Sequence, residues 1–203
     1  MQPNPINEHL QDTMSLQLGH KLSLEEIIEG SKQGNRKFQE LLYKQFASKM
    51  LVVCARYAKD HFEAEDMLQV GFVKVFEKMK GFKADGSFEG WVRRIMVNTS
   101  IEFYRKNAKM FPVIDIDHAP ESPVQENQLS RLNLNDLLAL IRNLSPGYRL
   151  IFNMYAIEGF SHKEIAQELG ISEGTSKSQL ARARAILQEN IKKMEGNKNE
   201  ALR

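Results

Sequence analysis

The sequence predicts an all-α protein of two small helical domains joined by a flexible linker, the second containing a helix-turn-helix. Three observations carry this. Apolar residues recur at helical spacing over most of the chain; Pro112, Pro120 and Pro123 interrupt them in a mainly acidic stretch; and residues 160–185 read as two capped helices about Gly170. No run alternates as a half-buried strand does, and neither a glycine-rich phosphate loop nor an internal repeat occurs. A chain of 203 residues accommodates two such domains, each with a modest core.

Residues 1–22 lack sustained periodicity and hold Pro3 and Pro5, so a loose arm is expected there. Ser23 is placed to cap a short helix through Glu29, and further helices are expected over about 35–58, 63–80 and 88–107, with 81–86 a loop. These elements make a first domain over 23–109, followed by a linker over 110–129 that its prolines keep from being one continuous helix. Periodicity resumes near Leu129, and Leu134, Leu137, Leu138 and Ile141 share one stripe. Ser145 and Pro146 open another helix, expected through about Ile157, because proline suits the first helical position. The second domain spans 130–195 and leaves 196–203 as a tail.

Within 160–185, Ser161 and Glu164 have the spacing of a capping box, and Ile165, Ala166 and Leu169 form the inner stripe of the first helix. Gly170 supplies the backbone freedom of a short turn, and Ser172 is placed to cap the second helix. On that helix Ser176, Leu180, Ala183 and Leu187 share an inward face, while Ser178, Ala181, Arg182 and Ala185 point away between Lys177 and Arg184. Small residues let such a face approach a groove closely, and a well-placed cation donating to guanine gives about 1–3 kcal/mol of base discrimination. A packed helical hairpin with surface charge shows the same caps and glycine, so the rest of the chain must discriminate between the two.

A net charge of +2 is too small to signal a nucleic-acid binder, but its distribution is uneven. From 91 to 109, Arg93, Arg94, Arg105, Lys106 and Lys109 stand against Glu102 alone, whereas 112–136 is mainly acidic. Cys54 is the only cysteine, which excludes an intramolecular disulfide, and its neighbours Leu51, Val52, Val53 and Ala55 mark it as a buried, inert thiol. The five histidines lack metal-ligand spacing, so neither a metal nor a cofactor is expected. With no signal-peptide pattern and no apolar run long enough for a bilayer, the expectation is a cytoplasmic protein without membrane insertion.

Two helices show unusual outer faces. In 88–107, Phe88, Val92, Ile95, Met96, Thr99 and Phe103 lie on the core side, leaving Arg94, Val97, Asn98, Ile101, Tyr104 and Arg105 outward. Cations, a bidentate amide, an aromatic ring and aliphatics together suit phosphates and exposed base faces better than a closed duplex; a second packing surface is the alternative. In 63–80, Ala64, Leu68, Phe72, Val75, Phe76 and Met79 form the core stripe, opposite Asp66, Gln69, Val70, Val73 and Glu77. Valines beside acids on a face otherwise wet point to a protein partner, with ordinary single exposed apolar residues as the alternative.

Taken in order, these blocks resemble a bacterial RNA polymerase sigma factor of the extracytoplasmic-function (ECF) class, over nearly all of residues 23–195. Residues 64–79, AEDMLQVGFVKVFEKM, resemble the part of region two that docks on the polymerase clamp helices. Residues 86–107, GSFEGWVRRIMVNTSIEFYRKN, resemble the promoter-melting and minus-ten-reading segment, and 160–185 resemble region four, which reads the minus-thirty-five element. The resemblance implies polymerase binding through Asp66, Gln69, Val70, Phe72 and Val73, with Phe72 contributing by packing. It implies minus-ten DNA binding by Asp85, Phe88, Trp91, Arg94, Asn98 and Arg105, and minus-thirty-five DNA binding by Lys177, Ser178, Ala181, Arg182 and Arg184, the last at phosphate. The implied partners are core RNA polymerase, promoter DNA that is double-stranded upstream and single-stranded at the minus-ten element, and an anti-sigma factor. The implied role is transcription initiation without catalytic residues.

Three positions depart from the family pattern. Val70 follows Gln69 where an acid is usual, shifting the contact toward apolar surface. Ser176 replaces a branched apolar residue, so looser packing of the last helix is expected, and Gln179 replaces a frequent basic residue, trimming phosphate attraction. Two other classes compete with this reading. A conventional DNA-binding regulator would use the helix-turn-helix alone, leaving the basic, aromatic helix around Trp91 unexplained. A nucleic-acid enzyme would need converging acids, and Asp66, Asp85 and Glu89 have no catalytic spacing.

Overall fold

The computed structural model describes residues 22–107 and 134–200. The expected arm before Leu22, the 110–129 linker and the last three residues of the tail lie outside the described residues. Among the described residues there are eight α-helices and no strand. They are α1 (Leu24–Lys32), α2 (Arg36–Ala55), α3 (His61–Lys78), α4 (Phe88–Asn107), α5 (Leu134–Arg142), α6 (Pro146–Phe152), α7 (His162–Leu169) and α8 (Glu173–Glu200). A 3₁₀ turn, Met79–Gly81, follows α3, and a π-helical segment, Asn153–Ile157, follows α6. No described helix is long and apolar enough to cross a membrane.

Side-chain caps set most helix starts. Ser23 and Glu26 exchange reciprocal bonds at the head of α1, and Asn35 Oδ1 accepts from Lys37 N at 3.0 Å before α2. Helix α3 starts two residues earlier than expected, because Asp60 Oδ1 accepts from Glu63 N at 2.8 Å and Glu63 Oε2 accepts from Lys59 N at 2.6 Å. Ser87 caps α4 by accepting from Gly90 N at 3.1 Å, and that helix has the bounds its sequence predicts.

Contacts divide the described residues into two compact units: those through Cys54 with Ala64–Thr99, and Ala55–Glu63 with those from Ser100 onward. In the first unit, Leu42, Met50, Val75, Met79, Val92 and Met96 are buried at its centre. A Cβ on Gly71 of α3 would meet the sulfur of buried Met96 on α4 and force that side chain to shift, so the glycine lets the two helices pack closely. Helix α4 is enclosed on more sides than its periodicity indicates. Val97 and Ile101, expected outward, are only 3% and 1% exposed, and buried Ser100 lies between them. Residues on several faces of α4 are therefore packed, where the sequence reading assumed one wet side.

In the second unit, Leu140 and Leu144 pack with Ala183 and Leu187, so α5 rests on the inner face of α8. Proline at the start of α6 opens that helix as expected, but regular α-helix ends at Phe152 instead of reaching Ile157. The π turn that follows brings in Asn153, fully buried, whose Nδ2 donates to the Arg56 carbonyl at 2.7 Å. Arg56 Nη2 also pairs with Glu158 Oε1 at 3.0 Å in a largely buried ion pair. These bonds account for the grouping of the α2–α3 turn with the C-terminal helices. Sequence periodicity carries no trace of a pairing between residues about a hundred positions apart.

Candidate functional site

Helix α3 presents Asp66, Gln69, Val70 and Val73 to solvent, with Val70 39% and Val73 56% exposed. Two exposed valines one turn apart beside exposed Asp66 and Glu77 form an apolar strip with acidic edges. Phe72 points the other way. It is buried, its ring 4.6 Å from Tyr43 and 6.0 Å from Phe76, so it supports the strip from beneath. Sequence reasoning missed Phe62, which is 76% exposed on the first turn of α3. Its signal was available, for Phe62 stands four residues before Asp66 and on the same helical face.

The second group begins in the loop before α4. Asp85 is exposed, and Ala84 beside it holds a positive φ of 60°. Phe88 is buried rather than presented, packed within 5.5 Å of both Phe46 and Trp91 and 5.1 Å from Phe82. Trp91 is half-buried against Phe82, so the two aromatic residues assigned to this group brace the loop and the first turns of α4. Arg94 and Asn98 are exposed and one turn apart on α4. Tyr104 has its hydroxyl buried without a hydrogen-bond partner among the described residues, and burial raises its pKa, which takes it off the expected outer face. Arg105 is exposed with its Nη2 3.4 Å from Glu168 Oε1.

The third group is the helix-turn-helix. Ser161 Oγ accepts from Glu164 N at 3.2 Å and Glu164 Oε2 accepts from Ser161 N at 2.8 Å, completing the predicted capping box; the bonds Glu164 Oε2 accepts from Ser161 N and Ser161 Oγ hold its carboxyl below its usual pKa. Gly170 ends α7 in the left-handed region at φ 67°, and Ser172 Oγ accepts from Thr175 N at 2.9 Å to start α8. Leu180, Ala183 and Leu187 are buried as expected, whereas Lys177, Arg182 and Arg184 are exposed and Ser178 and Ala181 half-buried. Gln179 is also buried, so the phosphate attraction judged lost there belongs to no surface position.

Ser176 is fully buried too, and its Oγ shares a 2.9 Å hydrogen bond with His162 Nδ1. The looser packing expected at Ser176 is thereby offset by a polar tie between α7 and α8. His162 stacks on Tyr155 at 4.4 Å, and the Arg184 guanidinium lies over the same Tyr155 ring, 5.6 Å from its centroid. Burial, then Lys177 and Arg184, hold the His162 pKa below its ordinary value of 6.5, with Glu173 opposing. The unfolded chain therefore binds this proton more tightly than the folded one. The resulting stability is present above about pH 6.5 and is lost as pH falls from there through the folded-state pKa. Thermal unfolding of His162→Gln should lose less stability than the parent chain between about pH 7 and about pH 5; parallel profiles would remove His162 from this account.

Among the described residues, no group of three or more His, Cys, Asp or Glu could hold a metal ion. The Sigma-70 region 2 family model matches residues 42–110, and the Sigma-70 region 4 model matches residues 134–187. The ECF RNA polymerase sigma factor SigE of Mycolicibacterium smegmatis is 31% identical over 159 residues, 75% of this chain and 61% of that protein, so the chain spans about three fifths of that relative's length. The ECF RNA polymerase sigma-E factor of Haemophilus influenzae is 24% identical over 186 residues, 86% of this chain and 98% of that one. Among solved structures, the sigma factor RpoE of Bartonella quintana, in complex with the anti-sigma factor NepR, aligns over 76% of this chain and 95% of that chain, at 27% identity and TM-score 0.46. With both sigma regions matched in order, the chain belongs to the bacterial RNA polymerase sigma factors of the extracytoplasmic-function class, proteins of transcription initiation.

Proposed function

We propose that this chain binds core RNA polymerase through α3, reads the minus-ten element as single-stranded DNA through α4 and its preceding loop, and reads the minus-thirty-five element as duplex through α8. The observation that carries this is the pairing of exposed Arg94 and Asn98 on a helix whose remaining circumference is largely packed. A cation beside an amide able to bond a base edge in two places, raised on a rigid support, fits a phosphate with its adjoining base. Melting roughly ten base pairs at about 1.4 kcal/mol per step costs more than about 10 kcal/mol, and each base stacked on protein returns about 1–3 kcal/mol. One small domain cannot supply that difference. The chain therefore captures one or two flipped bases while polymerase channels hold the remainder of the open strand.

The region-two-like domain spans 23–109 and the region-four-like domain 130–195, with the acidic, proline-containing 110–129 segment setting the spacing between the two readers. Lys177, Ser178, Ala181 and Arg182 face the major groove, and Arg184 reaches a phosphate. Asp66, Gln69, Val70 and Val73 contact the polymerase directly, with Phe72 holding their helix in place. An anti-sigma factor that covers α3 or α4 would compete with these contacts.

Asn98→Ala tests the minus-ten assignment. It should lower open-complex formation by about five- to hundredfold, the equivalent of about 1–3 kcal/mol for one bidentate base contact, and leave polymerase binding unchanged. Permanganate footprinting of the open strand reads the first quantity and gel filtration with core polymerase the second. Undiminished promoter opening would remove Asn98 from the base contact.

A further inference from the structure

We infer that Tyr155 is a positioning residue for DNA binding: its ring holds the Arg184 guanidinium at the edge of α8, where the cation meets a phosphate of the upstream duplex. The inference rests on the region-four reading given above. Tyr155 comes from the π-helical segment, seven residues before the first residue of α7, and nothing in the motif's sequence pattern points to it.

Three elements fix the ring. Asn153, in the same π turn, is fully buried and tied to the Arg56 carbonyl, so the backbone carrying Tyr155 has a set position. His162 stacks on the ring at an interplanar angle of 24° and is itself bonded through Nδ1 to buried Ser176 on α8. Arg184 lies over that ring, exposed, and among the described residues no carboxylate pairs with it. Arg56 and Arg105, by contrast, are matched to Glu158 and Glu168. An arginine held by an aromatic face keeps its five donors unspent, whereas a carboxylate would occupy them and cancel the charge. Lys177 is exposed two turns earlier on α8, and it and Arg184 both act electrostatically on His162, so two cations converge beside the bracket. Such a pair over a rigid aromatic base suits a phosphodiester, and ordering Arg184 in advance removes part of the entropy lost on contact.

The test uses the full chain assembled with core RNA polymerase and a fluorescent promoter duplex selected from a random pool, with affinity measured across a salt series. Each phosphate contact contributes about 0.9 to the slope of log affinity against log salt. Arg184→Ala should lower the slope by about that amount, and Tyr155→Leu should lower it equally although it removes no charge. Tyr155→Phe should keep the parent slope because the ring remains, and the Tyr155→Leu, Arg184→Ala double variant should fall no further than either single one. A ring that served only to stabilise the fold would change thermal unfolding and leave the slope alone. Should leucine unfold the chain, Tyr155→Met fills similar space without an aromatic face and carries the same expectation. The inference is overturned if Arg184→Ala lowers the slope while Tyr155→Leu or Tyr155→Met retains it. A parent slope in Arg184→Ala overturns it together with the phosphate assignment, and failure of the parent chain to assemble with polymerase, or of that assembly to retain any duplex from the pool, overturns the proposed function from which it starts.

Discussion

Val73→Lys should weaken assembly with core RNA polymerase by about a hundredfold or more while leaving thermal unfolding unchanged. Val73 is 56% exposed, so lysine there loses almost no packing in the free chain. It is a good helix former, and exposed Glu77 one turn on gives it a favourable neighbour. In the complex the same ammonium would be buried against a surface suited to the valines and acids of α3. An uncompensated charge in such a place costs about 3 kcal/mol or more, which is two powers of ten in affinity. Fluorescence anisotropy of labelled chain titrated with core polymerase measures this directly. Parent-like affinity would show that the valine strip of α3 is not the docking surface.

Phe72→Ala, one residue away, should fail in the opposite manner. The Phe72 ring is buried between Tyr43 and Phe76, and its removal leaves a cavity that the aromatic packing cannot close. Truncations of this kind cost about 3–5 kcal/mol, a large share of the roughly 5–15 kcal/mol that holds a domain folded. Denaturant unfolding should therefore show the midpoint of the first unit sharply lowered, and polymerase binding should fall only in proportion to the unfolded fraction. A loss below about 1 kcal/mol would mean that the site collapses around the missing ring. Together the two substitutions separate a residue that touches the partner from one that holds the helix presenting it.

The contrast between Phe72 and Val73 was legible in the sequence, since each follows from a single helical period on α3. The same is true of the capping box at Ser161, the left-handed Gly170, the bounds of α4 and the buried side of α8. What periodicity could not show is how many sides of a helix are covered. Val97 and Ile101 lie on what a one-sided reading takes for the wet face of α4, yet both are packed. The π turn at Asn153 was equally hidden, because its anchor is the Arg56 carbonyl, an atom common to every residue type. Tyr155 and His162 meet across the break in helix between the π segment and α7, so helical periodicity does not pair them. Sequence patterns report each helix's own geometry; pairings made by the tertiary fold leave no such mark.

Ala84 bears on the minus-ten contact proposed above. Its φ of 60° costs a residue with a Cβ about 1 kcal/mol or more, and it lies in the chain between Phe82, packed against Phe88 and Trp91, and the Ser87 cap. The turn bearing Asp85 thus takes on that cost when the chain folds. On the minus-ten reading proposed above, an incoming nucleotide would meet a turn already shaped, its conformational cost met at folding and not at promoter opening.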